Sequence, residues 1–258
     1  PTNRDGAMRK FVDLHLCPLV QDVDQVKRMI AKCSELGYRA VGIPLPPNVG
    51  QEKFRQLQDI CNSAKLDFVT RVDLFPKTPS ELLYDLRRLR RKFEVVSVVC
   101  SSKPVARQAA KDRRVDLLSF STTDLRRRFF DYAEAELSSK ALSSLEIDLV
   151  PLLCLTGVER IRLLSRLRRE LAIAKRFNVP VTVSSGATNE CLLRSPYDHA
   201  ALTVLFDMPP SSALLCLSEN PFGIVMRNRE KLSPNYVAPG VRVVRRKKLV
   251  SPREKTIP

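Results

Sequence analysis

Short aliphatic runs alternate with helical patterns along most of this chain, and this alternation constrains the fold more than any other feature. Runs with the composition of buried strands lie at residues 10–16, 39–44, 68–74, 95–100, 115–119, 145–150 and 181–185. Repeated β/α units predict a parallel sheet with right-handed crossovers. Seven units in a chain of 258 residues favour closure into a barrel, because an open sheet more often has fewer units and a glycine-rich first turn.

Amphipathic helices are predicted between these runs, where apolar residues recur three or four positions apart. They cover residues 23–36, 51–65, 79–92, 105–111, 125–142 and 157–177. After Gly186 the strand pattern weakens: residues 195–206 and 209–217 have helical patterns, and an eighth strand over 213–217 is an alternative. We therefore predict an α/β fold, a TIM-type (β/α) barrel of seven to eight parallel strands.

The barrel is predicted to occupy residues 9–232 as a single domain, after a flexible extension at residues 1–8. Residues 233–258 are rich in proline and then basic, with four consecutive cations at 245–248, which predicts a flexible C-terminal tail. The sequence has neither an apolar run long enough to span a membrane nor a hydrophobic segment near its start. A cytoplasmic protein without a membrane partner is expected.

Several kinds of chemistry are disfavoured by the composition. The 8 glycines form neither G-x-G-x-x-G nor G-x-x-x-x-G-K-[ST], the loops that cradle nucleotide phosphates. The 2 histidines are too few for a histidine-rich metal cluster. The 7 cysteines are irregularly spaced in apolar surroundings, which predicts buried thiols. The S-S-G-A run at 184–187 lacks a nucleophile elbow and predicts a tight βα turn.

Two interpretations are open for the first strand. Asp13 and His15 would share one side of it, at the end where barrel enzymes carry their chemistry. A metal held by this pair, with a carboxylate of Asp73, Asp116 or Asp148, would make a free-standing metal-dependent phosphoesterase. The other interpretation is a structural histidine near the barrel mouth, which the low histidine count favours.

The chain is strongly basic: 44 Lys and Arg against 28 Asp and Glu give a net charge of +16. Such a field attracts polyanions and favours a nucleic acid partner, with a solubility charge, an anionic membrane surface or a protein scaffold as alternatives. Arginines surround helices whose other face is apolar, and the guanidinium fork suits phosphate. The cations predicted to contact RNA are Arg87, Arg88, Arg90, Arg91, Lys103, Arg107, Lys111, Arg113, Arg114, Arg126, Arg127, Arg128, Arg168 and Arg169.

Four stretches of sequence carry a family resemblance. They are F-V-D-L-H at 11–15, L-G-Y at 36–38, V-D-L-L-S-F at 115–120 and V-S-S-G-A at 183–187. Together they resemble the thirty-kilodalton-class protein subunit of archaeal and eukaryotic ribonuclease P, also called archaeal ribonuclease P protein component three. The resemblance covers about residues 8–232.

The resemblance implies a barrel similar to the polymerase and histidinol phosphatase superfamily. It also implies a ribonucleoprotein that removes 5′ leaders from precursor tRNA, in which the RNA subunit is the catalyst and requires Mg²⁺. The partners implied are ribonuclease P RNA, precursor tRNA, a small companion subunit and other ribonuclease P proteins. The phosphoesterase relatives begin with H-x-H, whereas this chain has Asp13-Leu14-His15, so neither a catalytic residue nor a protein-bound cofactor is expected.

Overall fold

The computed structural model describes residues 9–122, 124–238 and 241–242. In that part of the chain, seven strands form one parallel sheet in chain order, each hydrogen-bonded to the next. They are β1 (Phe11–Asp13), β2 (Tyr38–Pro44), β3 (Asp67–Leu74), β4 (Val95–Val99), β5 (Leu117–Ser119), β6 (Ser144–Asp148) and β7 (Val181–Ser184). The predicted TIM-type barrel is confirmed, with a first strand shorter than the sequence indicated.

Helices follow the strands and form the outer layer. They are α1 (Val23–Glu35), α2 (Gln51–Ser63), α3 (Pro79–Leu89), α4 (Lys103–Lys111), α5 (Tyr132–Ala141), α6 (Val150–Cys154), α7 (Gly157–Arg176), α8 (Pro196–Thr203), α9 (Pro210–Cys216) and α10 (Glu219–Leu232). Single 3₁₀ turns cover Leu125–Arg127, Glu190–Leu192 and Val204–Phe206. Among the described helices, none has both the length and the apolar character needed to cross a membrane.

The chain after α10 forms a small antiparallel pair, β8 (Tyr236–Ala238) with β9 (Val241–Arg242). This pair falls inside the segment predicted as a flexible tail. The extension predicted at residues 1–8 and the basic run at 245–248 lie outside the described residues.

The two edges of the sheet meet at the S-S-G-A turn. Leu16 forms a parallel bridge with Ala187, and the Gly186 N–H donates to the His15 carbonyl oxygen at 2.9 Å. Gly186 has φ +65°, a left-handed conformation that glycine adopts without the steric cost of a Cβ atom. The predicted βα turn is confirmed, and it also joins β1 to β7.

The eighth strand considered over residues 213–217 is wrong, because this segment forms most of α9. Pro210 is the first residue of α9, where its missing N–H costs no hydrogen bond. Ala213 and Cys216 lie three residues apart and are both buried, which is helical rather than strand spacing. The Leu217 carbonyl oxygen still accepts from the Val12 N–H at 2.9 Å, so the chain after α9 gives β1 one backbone partner.

Helix α10 covers the N-terminal end of the barrel. Its Phe222, Ile224 and Val225 pack onto an apolar layer inside the barrel. That layer consists of Val12, Leu14, Ala40, Val69, Val95 and Leu117. An apolar layer therefore fills the bottom of the barrel interior, beneath the polar residues of the opposite end.

The single helix predicted over residues 125–142 is also wrong. The 3₁₀ turn is followed by extended backbone at Arg128, and α5 begins after Asp131, whose carboxylate forms a capping box with Glu134. Arg128 leaves the helical path to pair with Glu170 of α7, with Nε 2.8 Å from Oε1. A buried tertiary ion pair therefore overrides the local helical preference.

The prediction of buried thiols holds for four of the cysteines. Cys33, Cys61, Cys100 and Cys216 are buried and free. It is wrong for Cys154 and Cys191, which are exposed in helical turns on the surface, and Cys17 is half-buried. Near the two exposed cysteines, Leu152 and Leu193 are the buried residues.

Candidate functional site

Five charged or titratable side chains meet at the carboxyl-terminal mouth of the barrel. Arg71 and Asp73 come from β3, Glu146 and Asp148 from β6, and His15 from the segment just after β1. Residues two apart on a strand point to the same face, so β3 and β6 each place a pair of charges in the barrel. This is the end at which barrel enzymes carry their active sites.

Arg71 occupies the centre of this cluster and is fully buried. Its Nε donates to Asp73 Oδ1 at 2.6 Å, and its Nη2 donates to Glu146 Oε2 at 2.7 Å. Nη1 donates to the Leu14 carbonyl oxygen at 2.9 Å and to the other oxygen of Glu146. The guanidinium therefore neutralises two carboxylates and holds β1, β3 and β6 together.

The neighbouring strands complete the hydrogen bonds of Glu146. Ser184 Oγ of β7 donates to its Oε1 at 3.0 Å, and Ser97 Oγ of β4 donates to its Oε2 at 3.3 Å. Burial by itself would raise the pKa of Glu146, but the Arg71 guanidinium lowers it below its usual value. The carboxylate is thus kept ionised inside the barrel.

His15 bridges the two remaining carboxylates. Its Nδ1 lies 2.9 Å from Asp148 Oδ1, and its Nε2 lies 3.2 Å from Asp73 Oδ2. Burial and the Arg71 charge oppose protonation, but the two carboxylates outweigh them and raise the pKa of His15 well above its usual value. Although burial opposes ionisation of Asp73, Arg71 and His15 hold the pKa of its carboxyl well below the usual range.

The charged state of His15 gives the stability of the fold a pH dependence. Because its pKa is raised on folding, its contribution is complete below the unfolded pKa of about 6.5 and is lost as the pH rises through the folded value. We expect the free energy of unfolding to fall as the pH rises above about 6.5, and to fall less steeply in His15→Gln. Urea unfolding of both proteins across this range measures the two slopes, and equal slopes would contradict the assignment.

The donor set at the mouth does not fit a metal ion in this arrangement. His15, Glu146 and Asp148 offer ligand atoms within 4.8 Å of one another. However, both oxygens of Glu146 accept from Arg71, and both ring nitrogens of His15 face carboxylates. A divalent cation would have to share this space with a buried guanidinium of the same sign.

Asp13 and Asp116 do not belong to this cluster. Strand β1 ends at Asp13, so the regular alternation of side chains along the strand does not extend to His15. The Asp13 Oδ1 atom instead accepts from the backbone N–H groups of His15 at 3.1 Å and Ser185 at 3.0 Å. Asp116 lies before β5 at the opposite end of the barrel, where it accepts from Asn228 of α10 at 2.8 Å. The expectation that either carboxylate ligates a metal beside His15 is therefore wrong in this geometry.

Sequence reasoning missed Arg71 and Glu146, the two central residues of the cluster. The available signal was a charged residue two positions before Asp73 and Asp148, inside the otherwise apolar runs at 68–74 and 145–150. Residues two positions apart lie on the same face of a strand, so each of these charged residues shares a face with the acid that follows it. A charge at such a position requires a buried partner.

The cations predicted to contact RNA fall into three groups by exposure. Arg128 is buried, and Arg90 and Arg114 are half-buried. The exposed ones are Arg87, Arg88, Arg91, Lys103, Arg107, Lys111, Arg113, Arg126, Arg127, Arg168 and Arg169. They are distributed over α3, α4, α7 and the segments after α3, α4 and β5.

The less exposed arginines have partners within the fold. Arg90 Nη1 lies 3.2 Å from Asp116 Oδ2, and Arg114 binds Asp112 through two nitrogens at 2.9 and 2.7 Å. Arg128 pairs with Glu170 and also donates to the Phe120 carbonyl oxygen at 3.2 Å. These three side chains have structural roles, so the exposed group is the one available to a polyanion.

Fold and site together define a (β/α) barrel protein whose mouth is filled by an ion-pair network and whose outer helices carry exposed arginines. The family described as "RNase P subunit p30" matches residues 10–233. The chain belongs to this family. The resemblance to ribonuclease P subunits noted in the sequence is thereby confirmed.

Archaeal relatives match over nearly their whole length. Ribonuclease P protein component 3 of Methanococcoides burtonii is 27% identical over 245 residues, covering 92% of this chain and 95% of the relative. The Methanosarcina barkeri protein of the same name is 29% identical over 238 residues, covering 91% and 96%. The expected role as a protein subunit of ribonuclease P is confirmed by these matches.

Solved structures support the fold. A chain in the cryo-EM structure of archaeal ribonuclease P with mature tRNA superposes with a TM-score of 0.78 at 24% identity, covering 92% of this chain and 100% of that one. Aspergillus niger ochratoxinase superposes with a TM-score of 0.58 at 11% identity, covering 84% and 71%. At these identities both likenesses show the barrel alone.

Proposed function

We propose that this chain binds the RNA of ribonuclease P through exposed cations on α3 and α4, and so supports removal of the 5′ leader from precursor tRNA. In this proposal the RNA carries the chemistry and binds its own Mg²⁺. A small companion subunit and other ribonuclease P proteins are the protein partners. Support comes from family membership and from a similar chain found in an archaeal complex with mature tRNA.

The observation that carries the RNA contact is the exposed basic surface of two neighbouring helices. Helix α3 docks through Leu82, Leu86 and Leu89, which are buried, and packs against α4. The exposed cations of this surface are Arg87, Arg88, Arg91, Lys92, Lys103, Arg107, Lys111 and Arg113. Of these, Arg88 pairs loosely with Asp85 at 3.6 Å and Arg107 with Glu134 at 3.4 Å.

Positive charge beside folded RNA has a direct physical effect. Each cation that neutralises a phosphate releases a condensed counterion and lowers the repulsion between RNA segments. A folded RNA catalyst then needs less Mg²⁺ to hold its structure. No nucleophile or general base is required of the protein for such a role.

Removing exposed cations from the C-terminal end of α3 and the turn after it, called the α3 variant below, tests this surface. We expect the combined change Arg87→Ala, Arg91→Ala and Lys92→Ala to lower the slope of log affinity against log salt by about 2 to 3, since each phosphate contact contributes about 0.7 to 0.9. Binding to cognate ribonuclease P RNA at several salt concentrations measures the slope. Arg90 is left in place because of its ion pair with Asp116.

The matched control removes three exposed cations elsewhere. Lys27 and Lys32 lie on α1 and Arg55 lies on α2, and all three are exposed. Their replacement by alanine changes the net charge by the same amount. If the control and the α3 variant have the same salt slope, the change in slope is caused by the loss of net charge, and α3 is not a contact surface.

Function itself is tested by reconstitution. Cleavage of precursor tRNA is measured with the cognate RNA and companion subunit, with and without this chain, over a range of Mg²⁺ concentrations. We expect the chain to lower the Mg²⁺ concentration at which cleavage is half-maximal. If rate and Mg²⁺ dependence are unchanged by the chain, the proposal fails.

A free-standing metal-dependent phosphoesterase is the alternative class, and the geometry of the mouth does not favour it. The carboxylates such an enzyme would use accept from Arg71 and lie against His15. Phosphoester turnover by the purified chain without RNA, lost on Asp13→Asn, would restore that alternative.

A further inference from the structure

A groove lies between the 3₁₀ turn at Leu125–Arg127 and the outer face of α7. Its volume is about 660 Å³. It is lined by Thr122, Asp124, Leu125, Arg126, Leu155, Glu159, Arg162, Ser165, Arg166 and Arg169. Four arginines against two acids give it an excess of positive charge.

Three of the arginines form a row along α7. Arg162, Arg166 and Arg169 are separated by four and then three residues, which puts them on one side of a helix. At a rise of about 1.5 Å per residue the row is about 10 Å long. Arg126 lines the other wall of the groove, so the cations face the space between the two walls from both sides.

The positive charge of the groove is only partly neutralised by the protein. Among the described residues, Arg126, Arg162, Arg166 and Arg169 have no carboxylate within salt-bridge distance. The carboxylate of Asp124 is used elsewhere: it accepts from the Arg126 backbone N–H at 3.0 Å and pairs with Arg127 at 3.2 Å. Glu159 lies in the first turn of α7, where a helix favours negative charge.

The walls of the groove are fixed relative to each other. Arg128 directly follows the 3₁₀ turn, and Glu170 directly follows Arg169. These two side chains form a buried ion pair, with Arg128 Nε 2.8 Å from Glu170 Oε1. Arg128 also donates to the carbonyl oxygens of Phe120 at 3.2 Å and Ser121 at 3.3 Å. A site whose supporting residues are locked in this way loses little conformational entropy when a ligand binds.

We propose that this groove binds the sugar-phosphate backbone of RNA; the proposal rests on the proposed function, in which the chain works on ribonuclease P RNA. A row of cations about 10 Å long matches an extended polyanion better than a single phosphate ion. Arginine forks bind phosphate oxygens in pairs, and the hydroxyls of Thr122 and Ser165 add neutral donors. Because arginine is also enriched at protein interfaces, the test below includes an acidic protein surface as the alternative occupant.

The test compares three variants of the full chain. The groove variant carries Arg162→Ala, Arg166→Ala and Arg169→Ala, all exposed positions on α7 where alanine is a strong helix former. It is measured beside the α3 variant and the Lys27, Lys32 and Arg55 control, each with cognate ribonuclease P RNA at several salt concentrations. Thermal unfolding of each variant checks that the fold is kept, and binding of the companion subunit without RNA is measured in parallel.

The groove variant is expected to lower the salt slope by about 2 to 3, with companion binding unchanged. If its slope equals that of the control while the α3 variant lowers the slope, the groove proposal is overturned and the proposed function stands. If the groove variant instead loses companion binding with an unchanged RNA slope, an acidic protein surface occupies the groove and the proposal is also overturned. If the unmodified chain has no salt-dependent RNA affinity, the proposed function fails as well.

Discussion

Arg71→Met is expected to lower the free energy of unfolding by about 3 to 5 kcal/mol, because removing one partner leaves buried carboxylates without a counter-charge. Arg71 is fully buried and donates to Asp73 at 2.6 Å and to Glu146 at 2.7 Å. It is also the hydrogen-bond donor to the Leu14 carbonyl oxygen. Methionine fills a similar volume but supplies neither the charge nor these donors.

Urea or thermal unfolding measures the effect. In a domain of this size about 1 kcal/mol corresponds to roughly 2 to 4 °C in Tm, so a decrease of about 10 °C is expected. Arg87→Met is the matched control, since Arg87 is exposed on α3 and its replacement should change stability by less than about 0.5 kcal/mol. An Arg71→Met protein as stable as this control would show that the network contributes nothing.

A second change in the same network separates the charge effect from packing. Glu146→Leu in the Arg71→Met background replaces the closest ion pair by apolar side chains. Buried pairs replaced in this way are often neutral in stability, so part of the loss is expected to be recovered. Non-additivity of the two changes measures their coupling.

Arg128→Met is expected to have the second largest effect, again about 3 to 5 kcal/mol. The Arg128 side chain is 2% exposed and that of Glu170 is 4% exposed, so the substitution strands a buried carboxylate. The carbonyl oxygens of Phe120 and Ser121 lose their donor as well.

The matched control for this change is the adjacent residue. Arg127 is exposed and pairs with Asp124 at 3.2 Å on the surface, and surface pairs contribute about 0 to 1 kcal/mol. Unfolding of Arg127→Met and Arg128→Met under identical conditions gives the comparison. Similar losses for the two variants would refute a special role for the buried pair.

The charged side chains at the mouth of this barrel are paired with one another. Here the carboxylates of Glu146 and Asp73 are bound by Arg71, and Asp148 is bound by His15. The charges at the mouth are paired within the fold, whereas exposed cations lie on the outer helices.

Much of the barrel could be predicted because its signals are local. Aliphatic runs with intervening amphipathic spacing specify strands and helices through the periods of two and 3.6 residues. The S-S-G-A turn was also readable, since Gly186 adopts the left-handed conformation that glycine tolerates. The apolar face of α3 and its exposed arginines followed from helical spacing in the same way.

The candidate site was predicted less completely. His15, Asp73 and Asp148 were recognised as candidates and do come together, but Arg71 and Glu146 were missed although they lie two residues before the two acids. Asp116 was expected at the same end of the barrel as His15, but it lies at the opposite end. Whether a residue lies at the start or at the end of a strand depends on where the hydrogen bonding to the neighbouring strand begins. Here pairing of β5 begins at Leu117.

The sequence alone determined the β/α repeat, the approximate positions of its strands and the excess of arginine, since each is a property of neighbouring residues or of composition. The tertiary structure alone decided that α9 stands where an eighth strand was considered, that Arg71 fills the mouth, and that Arg128 breaks a predicted helix to reach Glu170. In the two ion pairs, Arg128–Glu170 and Arg71–Glu146, the partners are 42 and 75 residues apart in the sequence. Buried charges are stable only when paired, and which partner is within reach is settled by the path of the whole chain.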